Sequence, residues 1–167
     1  MKRKNFYLSP HLSYNEVIKS ETALRRGILN EPNDEELQNL ISIAQNVFEP
    51  LREYASKERG RDTPLVVTSG YRSVELNKAI GGSATSDHCK GRALDIDIDW
   101  MYSDDDLINA DLFYIIEDHL SFDQLIWEFG TDHNPSWIHV SYRSEAENRN
   151  QILQAISENG QTIYKPY

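Results

Sequence analysis

The sequence predicts an α+β domain in which an antiparallel sheet is flanked by helices. Helical patterns dominate the first half of the 167 residues, and strand patterns linked by a hairpin dominate the second half. A hydrophobic fraction of 39% and a charged fraction of 26% are typical of a soluble globular protein. One domain covering residues 1–167 can bury a hydrophobic core at this length, and with one cysteine it does so without an internal disulfide.

Capping boxes and apolar periodicity predict the early helices. Ser13 and Asn33 each begin a capping box, which predicts a short helix through Ser20 and a longer one that the segment Gly60-Arg61-Asp62 ends. Apolar residues recur at helical intervals along the longer helix and define one buried face. Pro50 lies inside this pattern, so we expect a kink there.

The rest of the chain alternates between strand and helix patterns. Strands are predicted over residues 64–68, 92–99, 122–129, 137–142 and 162–164, and helices over 73–80, 103–119 and 145–157. In the second of these strands three aspartates share one face, Asp95, Asp97 and Asp99. One alternative is that Asp97 and Asp99 orient a ligand histidine. We expect them instead to leave the sheet and meet solvent, because three adjacent buried carboxylates would repel one another.

Two histidines and one aspartate are candidate metal ligands. His88 and Asp95 lie seven residues apart with Gly91 between them, and His139 lies in the alternating segment 137–141. Two imidazoles and one carboxylate are a sufficient protein shell for a catalytic zinc, with the fourth position left to water. This ligand set suits zinc well, although another divalent ion remains an alternative. On spacing alone, each histidine could instead be a structural residue at a strand edge.

Charge and hydropathy limit the partners. A net charge of −10 argues against nucleic acid, because binding phosphates needs a basic face. No apolar run reaches membrane-spanning length, and the first residues lack the apolar core of a signal peptide. We therefore expect a protein without a membrane or nucleic-acid partner that is cytoplasmic when synthesised. We also expect the protein to be a monomer.

Six short motifs follow one another between residues 69 and 141. They are Ser69-Gly70-Tyr71-Arg72-Ser73, Leu76-Asn77, Gly81-Gly82-Ser83, Ser86-Asp87-His88, Gly91-Arg92-Ala93 and Trp137-Ile138-His139-Val140-Ser141. Together they resemble the zinc D-alanyl-D-alanine carboxypeptidase family of peptidoglycan peptidases, and the resemblance extends from about residue 6 to 143. That family includes vancomycin-resistance dipeptidases and phage endolysins, and it shares its fold with the hedgehog signalling domain. The resemblance therefore implies a hedgehog-type fold.

The resemblance also implies roles for individual residues. The three candidate ligands match the positions that hold one Zn²⁺ per chain in the family. Arg72 matches an arginine that contacts the substrate or polarises its carbonyl, a task that suits a guanidinium. Ser86 matches a serine near the substrate, and Trp137 is assigned to substrate binding with them. A structural ion pair remains the alternative for Arg72, and a turn or cap for Ser86.

The general base departs from the family pattern. Many members place an Asp or Glu three residues before the last ligand, where this chain has Ser136. Glu128 ends the preceding predicted strand and would face the site if the two strands pair as a hairpin, so it is our first candidate. Asp132 in the connecting loop is the second candidate. An exposed carboxylate at a strand end is the alternative interpretation of Glu128.

The function that the resemblance implies is a zinc-dependent peptidase acting on peptidoglycan stem peptides. The bond would involve a D-amino acid, cut by a D-Ala-D-Ala carboxypeptidase or by an endolysin-type endopeptidase. A phage or prophage lysis enzyme fits a protein that is made in the cytoplasm and reaches the cell wall once the membrane is opened. The alternative is a non-catalytic zinc-containing module that binds the cell wall or belongs to a virion, and Ser136 gives that alternative some weight.

Overall fold

The computed structural model describes residues 3–102 and 106–167. Its strands are β1 Tyr7–Ser9, β2 Leu12–Ser13, β3 Val67–Ser69, β4 Ala93–Ile96, β5 Gln124–Glu128, β6 Trp137–Ser141, β7 Gln151–Glu158 and β8 Gln161–Pro166. Its α-helices are α1 Tyr14–Ile18, α2 Glu21–Arg26, α3 Asp34–Ile43, α4 Glu49–Arg59, α5 Val74–Ala79 and α6 Asn109–His119. In the described ranges, no helix has both the length and the apolar character that crossing a membrane requires.

The main sheet has six strands in the order β3-β4-β6-β5-β7-β8. Neighbouring strands are antiparallel except for β5 and β7, which are parallel. The fold is α+β with helices flanking the sheet, as the sequence predicts, but the sheet is mixed. The parallel pair arises because the chain returns after β6 and starts β7 next to the start of β5, where Gln124 pairs with Gln151.

Helices cover one face of the sheet, and the other face carries the polar residues of the site. Leu94 and Ile96 of β4 are fully buried in a core that also contains residues of α3, α4 and α6. Trp127 of β5 packs edge-on against Phe113 of α6 on the same side. Since side chains alternate along a strand, the neighbours of these core residues point to the opposite face.

The long helix from Asn33 carries a wider turn at the expected kink. α3 continues through a π-helical segment, Ala44–Phe48, into α4. Pro50 has no N–H to donate and its ring crowds the carbonyl of Asn46, so a widened turn just before it accommodates the proline without ending the helix. Gly60, in the left-handed conformation, then ends α4.

One sequence prediction for the late segments is wrong, and another is confirmed over most of its length. Residues 145–157 do not form a helix, because β7 occupies Gln151–Glu158 and pairs with β5 on one side and β8 on the other. Asn150 has a positive φ of 48° directly before β7, a conformation that interrupts a helix. The helix predicted over 103–119 begins only at Asn109, and residues 103–105 of that prediction lie outside the described residues.

Asp97 and Asp99 do not simply meet solvent as expected. Both are half-buried, and Asn109 at the start of α6 donates hydrogen bonds to both, from its side chain to Asp97 at 3.0 Å and from its backbone to Asp99 at 3.0 Å. Asn134, in the loop between β5 and β6, donates to Asp99 at 2.7 Å. The two carboxylates thus tie α6 and the hairpin loop to the end of β4.

Candidate metal centre and its pocket

Three side chains from distant parts of the sequence converge at the centre of the polar face. His88 Nε2 lies 3.1 Å from Asp95 Oδ1, and His139 Nδ1 lies 2.9 Å from the same oxygen. The two ring nitrogens are 3.2 Å apart. His88 and Asp95 are buried and His139 is nearly so. The structure therefore brings together the three residues that the sequence singles out as candidate ligands.

The sheet register places two of these side chains. β4 and β6 pair antiparallel with Asp95 directly opposite His139. Directly opposite residues in such a pair point to the same face with their Cβ atoms about 5 Å apart. Leu94 and Val140, the next pair, point into the core instead. Because both residues lie on paired strands, the sheet fixes the distance between the Asp95 carboxylate and the His139 imidazole.

A tight turn supplies the third side chain. His88 lies in the 3₁₀ turn Asp87–Lys90, which ends at Gly91 with a φ of +66°. A Cβ at Gly91 would lie only 2.3 Å from the backbone oxygen of Glu36 in α3, so glycine is required by both conformation and space. Asn39 of α3 also donates a hydrogen bond to the Lys90 carbonyl at 2.9 Å. The turn is thus fixed against the helix layer.

A backbone contact orients the His88 ring. Its Nδ1 lies 2.6 Å from the Gly70 carbonyl oxygen, which can only accept, so Nδ1 carries the proton and donates. Nε2 is then left with a free lone pair directed at Asp95 and His139. Burial lowers the pKa of His88, which keeps the ring neutral even though the Asp95 charge acts in the opposite direction. A neutral imidazole held by an N–H···O=C bond is the usual arrangement of a metal-ligating histidine.

The geometry fits a small tetrahedral cation. Ligand atoms that each lie 2.0–2.1 Å from a zinc ion are about 3.4 Å from one another in an ideal tetrahedron. The three separations here, 2.9 to 3.2 Å, are close to that value. Burial alone would raise the pKa of Asp95, but the adjacent His88 and His139 lower it well below the usual range. The site thus offers one anionic oxygen and a neutral nitrogen, the donor types that zinc accepts.

Arg72 binds the other oxygen of the aspartate. Its Nη2 donates to Asp95 Oδ2 at 2.5 Å, and its Nε donates to Ser69 Oγ at 2.9 Å. The Arg72 backbone N–H donates to the His88 carbonyl at 3.2 Å. The structural ion pair that was the alternative for Arg72 is therefore present. Because Arg72 binds Oδ2, the other oxygen of Asp95, Oδ1, faces the two histidines. The guanidinium also lines the pocket described below.

Glu128 lies on the same face, at the end of β5. β5 and β6 form the hairpin that the first candidate for the base requires, with Glu128 opposite Trp137. Only 6% of Glu128 is exposed. Burial raises its pKa to about 7, the Asp95 charge adds to the rise, and His139 and Arg72 oppose it. A carboxyl with a pKa near 7 is suited to accept and return a proton at neutral pH.

The other two residues considered for the base lie elsewhere. Asp132 is exposed in the loop between β5 and β6, and its charge acts on Tyr167, which stacks on Trp127 on the helical face. Asp132 is not among the residues that line the pocket around the candidate ligands. Ser136, at the family's usual position for the base, is exposed and does not line that pocket either.

A pocket of about 440 Å³ opens over the cluster. Ser86 and Trp137, the two further residues assigned to substrate binding, both line it. Trp137 packs against Phe129 with ring centroids 5.4 Å apart. The sequence missed several other lining residues, which are Gly82, Ser83, Thr85, Asp87, Gln124, Ile126, Phe129, Leu153, Thr162 and Tyr164. Strand alternation from Glu128 would have identified Ile126 and Gln124, whereas the residues of β7 and β8 depend on pairing that no local pattern reveals.

The comparisons with known proteins agree with this geometry. No curated protein matches the chain. The sequence model of one family, described as Peptidase M15, matches residues 10–141, and this segment includes all three candidate ligands, Arg72 and Glu128. Membership of that family implies a metal-dependent peptidase. With most of its length matched, the chain belongs to the peptidase M15 family.

Proposed function

We propose that the chain is a zinc peptidase that hydrolyses peptidoglycan stem peptides at a bond involving a D-amino acid. The observation that carries the proposal is a buried cluster of His88, Asp95 and His139 in a pocket that also holds the buried carboxyl of Glu128. Family membership supports a metallopeptidase. The ligand set supports zinc, because two imidazoles and a single carboxylate oxygen suit that ion.

A bound metal ion would supply the Lewis acidity of the site. His88, Asp95 and His139 would hold a zinc ion, which acidifies water and polarises a peptide carbonyl when it is bound. Arg72 keeps the Asp95 carboxylate in one orientation through Oδ2. Because Arg72 also lines the pocket, its remaining N–H groups are available to the substrate carbonyl.

Glu128 performs the proton transfers in this proposal. Its carboxylate takes a proton from the attacking water and then delivers that proton to the amine that leaves. Burial brings its pKa to about 7 in the absence of a metal, and a nearby cation favours the ionised form that acts as the base. The two transfers use one group, so no second acid is required.

Cleavage assays with matched variants test the proposal. The zinc-loaded protein is incubated with purified cell wall and with synthetic stem pentapeptides ending in D-Ala-D-Ala, and the products are identified by mass spectrometry. Free D-alanine indicates a carboxypeptidase, whereas new amino termini within cross-linked material indicate an endopeptidase. We expect Glu128→Gln to lose about 10²–10⁴-fold in rate while retaining zinc. Glu117→Gln, which changes an exposed carboxylate of α6, is the matched control and should keep full activity.

A non-catalytic wall-binding module is the second candidate. The observation in its favour is Ser136, which stands where many family members carry the base. A protein that binds about one zinc per chain and sediments with cell wall, yet cuts none of the peptides, would replace the enzymatic proposal with this one. Activity that survives in Glu128→Gln would keep the peptidase and move the base to another residue.

The setting of the activity is part of the proposal. We propose that the protein acts as a monomer on the cell wall, without a nucleic-acid or membrane partner, and that it reaches the wall from the cytoplasm during phage-mediated lysis. The net charge of −10 supports the absence of a nucleic-acid partner. Lysis of cells in which the protein is expressed together with a membrane-permeabilising protein, and not without it, is the expected result.

A further inference from the structure

The C-terminal hairpin forms one side of the pocket although it lies outside the family match. β7 and β8 follow residue 141, where the matched segment ends. They extend the main sheet beyond β5, on the side away from β4. Leu153 of β7 and Thr162 and Tyr164 of β8 nevertheless line the pocket with the candidate ligands. The hairpin therefore supplies one wall of the pocket from outside the matched segment.

The register brings Tyr164 into line with the proposed base. Glu128 pairs with Ala155 of β7, and Ala155 pairs with Tyr164 of β8. Residues paired in this way lie on one face of a sheet. Ala155 carries only a methyl group and is fully buried, so no long side chain of β7 stands between Glu128 and Tyr164 in this row.

The Tyr164 side chain is available to a ligand. The residue is 53% exposed although it lines the pocket. Across residues 3–102 and 106–167, no group forms a hydrogen bond with its hydroxyl. Burial, and then the charges of Glu128 and Asp95, raise the pKa of Tyr164, so the phenol keeps its proton at neutral pH and can donate it in a hydrogen bond.

The neighbouring row of the sheet is apolar. His139 pairs with Ile126 of β5, and Ile126 pairs with Leu153 of β7, so an aliphatic strip runs from the candidate metal centre toward the hairpin. Ile126 and Leu153 both line the pocket. A donor hydroxyl beside an aliphatic strip complements a peptide that offers a backbone carbonyl next to a small apolar side chain such as the methyl group of alanine.

We propose that Tyr164 contacts the substrate directly, donating a hydrogen bond from its hydroxyl to a main-chain carbonyl of the peptide close to the bond that is cut. Leu153 forms the apolar side of the same subsite. This inference rests on the proposed function, because it takes the stem peptide as the ligand. It assigns substrate recognition to a hairpin that lies outside the matched segment.

Removal of one hydroxyl tests the proposal. Tyr164→Phe keeps the ring and deletes the donor, and Tyr167→Phe makes the same change three residues later on the other face of the sheet, where the Tyr167 hydroxyl bonds that of Tyr114 at 2.9 Å. We expect Tyr164→Phe to lower kcat/KM about 3- to 10-fold, the value of one hydrogen bond. Zinc content should stay the same, and Tyr167→Phe should remain within about twofold of the original protein.

Binding provides the second readout and separates the two proposals. The dissociation constant of the stem pentapeptide is measured by calorimetry in zinc-loaded protein carrying Glu128→Gln, with and without Tyr164→Phe, and it should rise by the same 3- to 10-fold. If the original protein cuts the peptide but Tyr164→Phe changes neither kcat/KM nor the dissociation constant, the inference is overturned and the proposed function stands. If the original protein binds without cutting and Tyr164→Phe weakens binding, the contact stands and the enzymatic proposal fails. If it neither binds nor cuts, both are overturned.

Discussion

In the metal-free protein, we expect the Glu128 carboxyl to lower the free energy of unfolding as the pH rises. We expect Glu128→Gln to abolish this contribution. Burial raises the pKa of this carboxyl from 4.5 to about 7, while the unfolded chain keeps the ordinary value. Between these two values the folded state binds more protons than the unfolded state. The contribution of the carboxyl to stability is therefore fully present below pH 4.5 and is lost as the pH rises through 7. At about 1.4 kcal/mol per pH unit, the loss amounts to about 3 kcal/mol.

Urea unfolding measures this difference. The free energy of unfolding is followed by tryptophan fluorescence between about pH 4 and 9 in the presence of a chelator, for the original protein and for Glu128→Gln. Both proteins contain the other titrating groups, and those that do not interact with Glu128 contribute equally to both. The free energy of unfolding of the variant, relative to that of the original protein, should therefore increase by about 3 kcal/mol across the pH range. Glu117→Gln, at an exposed position, should show no such trend. A difference for Glu128→Gln that changes by less than about 0.5 kcal/mol would refute the reasoning, because the carboxyl would then be solvated in the folded state.

Three further predictions concern the metal centre and its support. Asp95→Asn replaces the anionic ligand and should weaken zinc affinity by more than about 100-fold in a chelator competition. Arg72→Lys cannot make both side-chain hydrogen bonds of the guanidinium and should weaken zinc affinity about 10-fold by the same assay, without unfolding the protein. Gly91→Ala places a Cβ 2.3 Å from the Glu36 backbone oxygen and should cost about 3 kcal/mol in urea unfolding. Gly27→Ala, at a similar φ but in open space, should cost only about 1 kcal/mol, and an equal cost for both would contradict the steric argument.

Local patterns were sufficient to predict the centre of the fold. Capping boxes at Ser13 and Asn33 begin α1 and α3 in the structure. Strand alternation correctly placed Leu94 in the core, and the structure has Asp95 on the opposite face. The hairpin of β5 and β6 is predicted from two strand-like runs joined by a polar loop, and its pairing brings Glu128 to the polar face. These features depend on residues close together in the sequence, which is why the sequence reveals them.

Features that depend on distant pairing were not predictable. The apolar residues Ile152 and Ile156 are four positions apart, a spacing that is typical of one face of a helix. The segment nevertheless forms a strand, because it pairs with the edge of β5. The error concealed β7 and with it the contribution of Leu153 to the pocket. The pKa of Glu128 also has a distant origin, because burial by the surrounding elements raises it. Sequence spacing alone can identify Glu128 as a candidate base, but it does not predict the pKa of its carboxyl.

The pairing of β4 with β6 has a consequence for metal exchange. Asp95 and His139 are held opposite each other by the hydrogen-bond ladder, and His88 is anchored through Gly70. These restraints come from the sheet and the packed core. The three candidate ligand atoms are therefore in position without a metal ion. Small zinc modules gain their folded state from the metal itself. We therefore expect this protein to take up, lose or exchange an ion while the chain stays folded, so that the ion bound in the cell depends on supply as well as on geometry.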